Sequence, residues 1–343
     1  MSMKYTEEMT DSAHIKQQYL DEFENLIAEK LKEAEKSRTE YVSEIFENPE
    51  KYRNELKNLI GWPLNEKREE TIPDADYEEI SDEGDFKIYR IKIEVMKGMH
   101  LQGLFFKKKD EKKRPLVLTL HGLLGSPELV AGFFEKDKGS YNDLISRVLR
   151  YDANVFAPQL LIWNITGGFR DYGVKLDRYS IDSKLKMTGS SAVAVEIYAL
   201  KRTIDFFEKE NYVTTIGMIG HSYGGFYTLH TAALDERIKA SVCNSYFSNF
   251  TKVLMPDWSW RDSAYKFCNA EVASLVYPRK LFLQMGTNDV LFDSKDTEKE
   301  FERLKMLCAD KGTDWTKLII FEGIHEFNKD DIAIKLLMDE LRS

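Results

Sequence analysis

Gly220-His221-Ser222-Tyr223-Gly224, followed by Gly225, sets a serine between small residues two before and two after it. An apolar run at 215–219 leads into this pentapeptide and a helical pattern at 223–233 leaves it, the setting of a nucleophile elbow. Glycine is required at 220 and 224 because the strained turn brings strand and helix backbones too close for a Cβ. The turn lifts Ser222 off the sheet and aims the amino end of the following helix at it. The Tyr223 backbone N–H is therefore the first expected donor to developing negative charge.

Serine is a weak nucleophile and needs a base within hydrogen-bond reach. The chain has six histidines. His14 falls in an amino-terminal helical stretch, His100 in an early hairpin, and His230 two turns inside the helix after the elbow, where a structural role fits. His121 belongs to a separate motif and is expected to brace its loop, and His221 is expected to point away from the serine. His325 remains, in a loop between the last apolar run and the final helical segment. The acid should lie between serine and histidine at another strand end, and Gly286-Thr287-Asn288-Asp289 directly follows the apolar run 280–285. Asp289 is the expected orienter of His325, with Asp293, four residues on, as the competing acid, although Asp293 also suits a helix cap near Lys295. The second oxyanion donor is expected from Leu120-His121-Gly122-Leu123, where Gly122 lets the backbone bend inward and Leu123 offers its N–H. This set performs acyl transfer through a covalent acyl-serine, chemistry that needs no cofactor and no metal.

Several elements must position these groups. Residues 86–95 alternate in polarity and 99–106 form a second extended run, an antiparallel hairpin. Beyond the basic turn 107–114, the runs 116–120, 154–157, 215–219, 240–243, 280–285 and 318–321 are continuously apolar, as strands buried on both faces are. Helical patterns at 141–151, 190–209, 223–233, 295–311 and 331–341 alternate with them. The expected fold class is therefore α/β: a mostly parallel central sheet, an antiparallel hairpin at its start, helices on both faces, and sites at the carboxyl ends of the strands. Residues 1–72 read as an amino-terminal helical extension and 73–343 as the catalytic domain. In the extension Ile15, Tyr19, Leu20, Phe23, Leu26, Ile27 and Leu31 recur at helical spacing, shorter patterns follow at 40–46 and 52–60, and Trp62-Pro63 marks a break. The apolar stripe is expected to pack onto the chain's own domain, with pairing of two subunits as the alternative.

Composition narrows the function classes. With 43% hydrophobic and 12% aromatic residues among 343, the chain can build a large core, and 31% charged residues give a hydrated exterior. The net charge of −9 argues against nucleic acid and anionic membrane as partners. Cys243, Cys268 and Cys308 are odd in number, with no CxxC pair, which suggests neither a disulfide framework nor a zinc site. The first eighteen residues are polar, and no stretch approaches twenty apolar residues, so a cytoplasmic location is expected.

His121-Gly122, Gly220-x-Ser222-x-Gly224, Asp289 and His325, in this order, resemble the α/β-hydrolase superfamily over residues 86–342. Pro278-Arg279 followed by the run 280–285 and Gly286-x-x-Asp289 is similar to a stretch of its dienelactone-hydrolase-like and acetyl-xylan-esterase-like branch. The resemblance implies a serine esterase for short-acyl or acetyl esters, with Ser222, His325 and Asp289 as the triad. Substrate contacts are expected from the aromatic-rich loops 161–188 and 246–277, with Trp163, Trp258 and Trp260 as candidates. Arg170, Arg178 and Arg261 in the same loops are expected in surface ion pairs. Two other readings compete: a serine peptidase or acyl-aminopeptidase-like enzyme, which would need an anchor for a free amino end, and a non-catalytic hydrolase-like interaction module.

Overall fold

Five of the six continuously apolar runs form interior strands of a nine-stranded sheet; the sixth, 318–321, lies in an edge strand and is only half-buried, which corrects the expectation that it is covered on both faces. The computed structural model describes residues 4–164, 169–252 and 255–343. The strands are β1 (Ala75–Asp82), β2 (Phe86–Met96), β3 (Met99–Lys108), β4 (Arg114–Leu120), β5 (Asn154–Pro158), β6 (Val213–His221), β7 (Ile238–Asn244), β8 (Lys280–Gly286) and β9 (Thr316–Phe321), in spatial order β1-β2-β3-β5-β4-β6-β7-β8-β9. Pairing is antiparallel from β1 through β3 to β5 and parallel from β5 to β9. Every residue of β4 and β5 is buried, because helices cover both faces there, whereas β2 alternates buried and exposed positions as a strand with one wet face does. One apolar core lies on each side of the sheet.

β1 was not expected. Its sequence, Ala-Asp-Tyr-Glu-Glu-Ile-Ser-Asp, has no apolar alternation, and its burial is correspondingly slight. Backbone pairing with β2 makes it a strand, and its place at the sheet's edge is compatible with its polarity.

The parallel half brings the ends of β4, β6, β8 and β9 to one rim. Leu123 follows β4, Ser222 follows β6, Asp289 lies three residues beyond β8 and His325 four beyond β9. This common direction is what lets residues a hundred positions apart in sequence meet.

Two helices precede the sheet, α1 (Ala13–Tyr41) and α2 (Pro49–Ile60). In α2, Tyr52, Leu56 and Ile60 join the same core as β2, β4 and the helix after the elbow. α1 departs from the expectation that its apolar stripe packs on its own domain. Only Ala34 and Arg38 are buried, near its carboxyl end, where Arg38 pairs with Glu271 at 3.2 Å. Ile15, Tyr19, Leu20, Phe23, Leu26 and Ile27 all face outward. The stripe's spacing showed that the helix is amphipathic; it carried no information on what would cover the apolar side. Among the described residues no helix is long and apolar enough to cross a membrane.

Candidate active site

Ser222 sits at φ +57°, ψ −120°, a strained conformation for a residue with a Cβ. The surroundings enforce it. A Cβ on Gly220 would enter the carbonyl of Gly224, and one on Gly224 would enter the carbonyl of Leu120. Ser222 N–H donates to the Asn244 carbonyl at 2.9 Å, tying the turn to the end of β7.

His325 Nδ1–H donates to Asp289 Oδ2 at 2.7 Å. The Asp289 carboxylate is wholly enclosed, and its other oxygen accepts from the Leu291 and Phe292 N–H groups at 2.9 and 3.0 Å. The Nδ1 bond fixes the tautomer and leaves Nε2 as the lone-pair nitrogen. Asp293 instead caps the helix Ser294–Leu307, accepting from the Lys295 N–H at 2.8 Å.

The acid turn and the histidine loop are held together by backbone contacts. Thr287 N–H donates to Phe321 O at 2.9 Å and Asn288 N–H to Gly323 O at 2.8 Å. Gly286 makes this approach feasible, since a Cβ there would lie 2.6 Å from the Ile324 carbonyl oxygen and 2.7 Å from that of Gly323. The elbow joins the same assembly through Asn244, whose Nδ2 donates to Glu326 O at 2.9 Å.

His221 is nearer the chemistry than expected. Its ring packs 4.7 Å from that of His325, and Phe292 stacks on His325 at 5.7 Å. Asn244 Nδ2 donates to His221 Nδ1 at 2.8 Å, so Nε2 carries the proton and faces Ser140 Oγ at 3.2 Å. Burial, then the neighbouring His325, depress the His221 pKa well below the usual histidine value, so the ring is neutral. Asn244 and Phe292 carried no sequence signal for these roles: each acts by proximity that only the folded sheet creates.

On the opposite side of Ser222 lies the loop after β4. A Cβ on Gly122 would sit 3.1 Å from Ser222 Cβ, so the two turns abut. Leu124 takes φ +59°, its N–H donates to Ile162 O at 2.8 Å, and its carbonyl accepts from Tyr172 Oη at 2.9 Å. Among the described residues neither the Leu123 nor the Tyr223 N–H reaches a protein acceptor, which keeps both available as donors. His121 braces this loop as expected: Nδ1–H donates to Gly122 O at 2.9 Å and Nε2 accepts from Leu160 N–H at 3.0 Å. Burial pushes its pKa down to about 4, so it too is neutral.

The chain matches no protein-family model and no curated protein. Solved structures do match it. A glucuronoyl esterase from Solibacter usitatus superposes with TM-score 0.64 at 14% identity, covering 85% of this chain and 91% of its own. Acetyl xylan esterase 1 from Thermoanaerobacterium sp. JW/SL YS485 gives 0.55 at 17%, covering 87% and 94%. A cold-adapted esterase from an Arctic intertidal metagenomic library gives 0.53 at 15%, covering 78% and 99%. This chain has the α/β-hydrolase fold.

Within that fold the three candidate substrate tryptophans separate. Trp163 donates to Val174 O at 3.2 Å and lines a mostly apolar cavity of about 920 Å³ beside the end of β5, with Trp62, Met96, Leu161 and Gln159. Trp258 is buried, stacked on Phe226 at 5.2 Å, and Trp260 packs near His230 at 6.1 Å. Among the described residues the cavity wall includes neither Ser222 nor His325. Gln159, whose Nε2 lies 3.2 Å from His121 Nε2, links that wall to the brace of the β4 loop. Residues 165–168 and 253–254 of the two aromatic loops lie outside the described residues.

The arginines separate as well. Arg170 pairs with Asp137 at 2.6 Å, and Arg261 is exposed beside Asp262. Arg178 corrects the expectation of a surface pair. It is fully buried, bonded to Asp257 at 2.6 Å, to Glu196 at 2.7 Å and to the Tyr227 hydroxyl, while the Tyr223 hydroxyl also donates to Asp257. Two carboxylates from separate segments converge on one guanidinium, which compensates their desolvation and locks both loops to the helix after the elbow. The charge pattern around 178 did not reveal this, because both partners are distant in sequence.

Proposed function

We propose that the chain is a serine hydrolase of carboxylic esters and that residues 73–343 form its catalytic domain, with 1–72 as an extension. Ser222 Oγ attacks the ester carbonyl carbon while His325 Nε2 takes its proton. The oxyanion is received by the Tyr223 and Leu123 N–H groups. The tetrahedral species expels the alcohol, which leaves with the proton from His325, and an acyl-Ser222 remains. Water then attacks, His325 again accepting and returning the proton, and the carboxylic acid departs. Asp289 holds His325 in the required tautomer and balances its positive charge in each half-reaction.

The observation that carries this reading is the 2.7 Å bond from His325 to the enclosed Asp289 at the rim where the strained Ser222 turn sits. The esterase reading, rather than a peptidase or a non-catalytic module, is favoured by the solved structures of the same fold, which are named for glucuronoyl, acetyl xylan and other ester hydrolysis. Short-acyl or acetyl esters are the proposed substrates. Cys243, Cys268 and Cys308 are unpaired and buried, which fits the cytoplasm as the working compartment.

The test pairs two measurements on one protein. The native chain should hydrolyse p-nitrophenyl acetate faster than its decanoyl counterpart and be labelled by a fluorophosphonate probe, and Ser222→Ala should lose both properties while keeping its circular dichroism. Full hydrolysis by the alanine variant in a clean preparation would overturn the assignment of Ser222. Preference for the decanoyl ester would overturn the acyl class alone.

A further inference from the structure

The exposed part of α1 has no packing partner among the described residues. From Ala13 to Leu31 it extends roughly 28 Å beyond the point where Ala34 and Arg38 dock on the body. A free helix of that length is marginal in water, and tertiary packing of an apolar face normally stabilises such segments. That face is present: Ile15, Tyr19, Leu20, Phe23, Leu26 and Ile27 are between 47% and 64% exposed, with Leu31 at its inner end.

The spacing of this face identifies its occupant. The apolar positions are symmetric about Phe23: in an antiparallel pair Ile15 lies opposite Leu31, Tyr19 opposite Ile27, Leu20 opposite Leu26 and Phe23 opposite itself. A two-fold axis requires this self-complementarity, in which each patch meets its own copy. Lys16 and Lys30 sit just inside the outermost apolar pair at equal distances from Phe23, so the helices are expected to cross at Phe23 and splay toward Ile15 and Leu31. Six side chains leaving on the order of 100 Å² each would bury about 1,200 Å² between two copies, the lower edge of specific interfaces. The antiparallel sense also sets the two bodies at opposite ends of the pair, whereas a parallel pair would bring them side by side. A membrane surface fits poorly, since between Ala13 and Leu31 Asp21, Glu22, Glu24 and Glu29 outnumber Lys16 and Lys30 and would be repelled by anionic lipid.

We propose that α1 joins two copies of this chain in an antiparallel homodimer crossing at Phe23. This holds whatever reaction Ser222 performs. Sedimentation or light scattering of the full chain at tens of micromolar should give twice the 39.9 kDa of one copy. The double variant Phe23→Glu, Ile27→Glu should return the single mass with unchanged ester hydrolysis. Because the three native cysteines are buried, added ones report the geometry. Phe23→Cys should crosslink to itself under mild oxidation, and Tyr19→Cys should crosslink when mixed with Ile27→Cys but not alone. A single-copy mass for the native chain, a dimer that survives the double variant, self-crosslinking of Tyr19→Cys alone, or sedimentation of α1 with anionic phosphatidylserine vesicles would each overturn the proposal.

Discussion

His325 is held on four sides. Asp289 takes its Nδ1 proton, His221 and Phe292 flank its ring, and the backbone around Gly323 is bonded to the acid turn. Orientation of the imidazole therefore depends on a carboxylate that accepts and never donates. Asp289→Asn keeps the shape but offers an amide whose N–H₂ can face Nδ1, favouring the wrong tautomer. The expected outcome is a fall in kcat of about 10³–10⁴ with KM for p-nitrophenyl acetate nearly unchanged and no loss of secondary structure. A variant within tenfold of the native kcat would show that the orienting bond is dispensable.

Elements rather than single side chains bring Ser222, Asp289 and His325 to one rim of the sheet, and this is where the sequence was most and least informative. The strands β4, β6 and β8 were legible because burial on both faces demands uninterrupted apolar runs, and the elbow was legible because Gly220 and Gly224 have backbone contacts no other residue permits. β1 was not legible, since its pairing uses only backbone groups, nor was the course of α1, since amphipathicity does not name a partner. The enclosure of Arg178 and the packing of His221 on His325 arise between segments far apart in the chain, beyond the reach of local pattern. Gly286 shows how such contacts govern the site. Its Cβ would press on the Gly323 and Ile324 carbonyls, so Gly286→Ala should displace the His325 loop. Kinetics and thermal unfolding together should show kcat reduced by about 10-fold or more while stability falls by about 1–3 kcal/mol, the range for overpacking. Unchanged kcat would mean the loop accommodates the methyl elsewhere.

Across the whole molecule, three buried histidines make the folded state sensitive to acid. Burial lowers the pKa of His121 and of His230 to about 4, and burial with the neighbouring His325 holds that of His221 well below the usual histidine value. Each would take a proton near 6.5 once unfolded. Between roughly pH 6.5 and 4 the unfolded chain thus binds more protons than the native one, and stability must fall as pH falls through that window. Each of His121 and His230 contributes about 3 kcal/mol that is fully present above pH 6.5. Thermal unfolding should therefore show a melting temperature that declines steadily from neutrality toward pH 4, and His230→Gln should shallow the slope. A melting temperature independent of pH across this window would contradict the neutral, enclosed state of these rings.

The polar margin formed by β1 has a bearing on how the molecule behaves in concentrated solution. Asp76, Glu78, Glu79 and Asp82 line an open row of amide and carbonyl groups that would otherwise recruit further chains. Two molecules meeting there would bring like charges to about the 4.8 Å spacing of adjacent strands, an arrangement opposed by Coulomb repulsion. That protection is screened by added electrolyte, so fibrillar growth from this border would be favoured in strong brine and suppressed in dilute buffer.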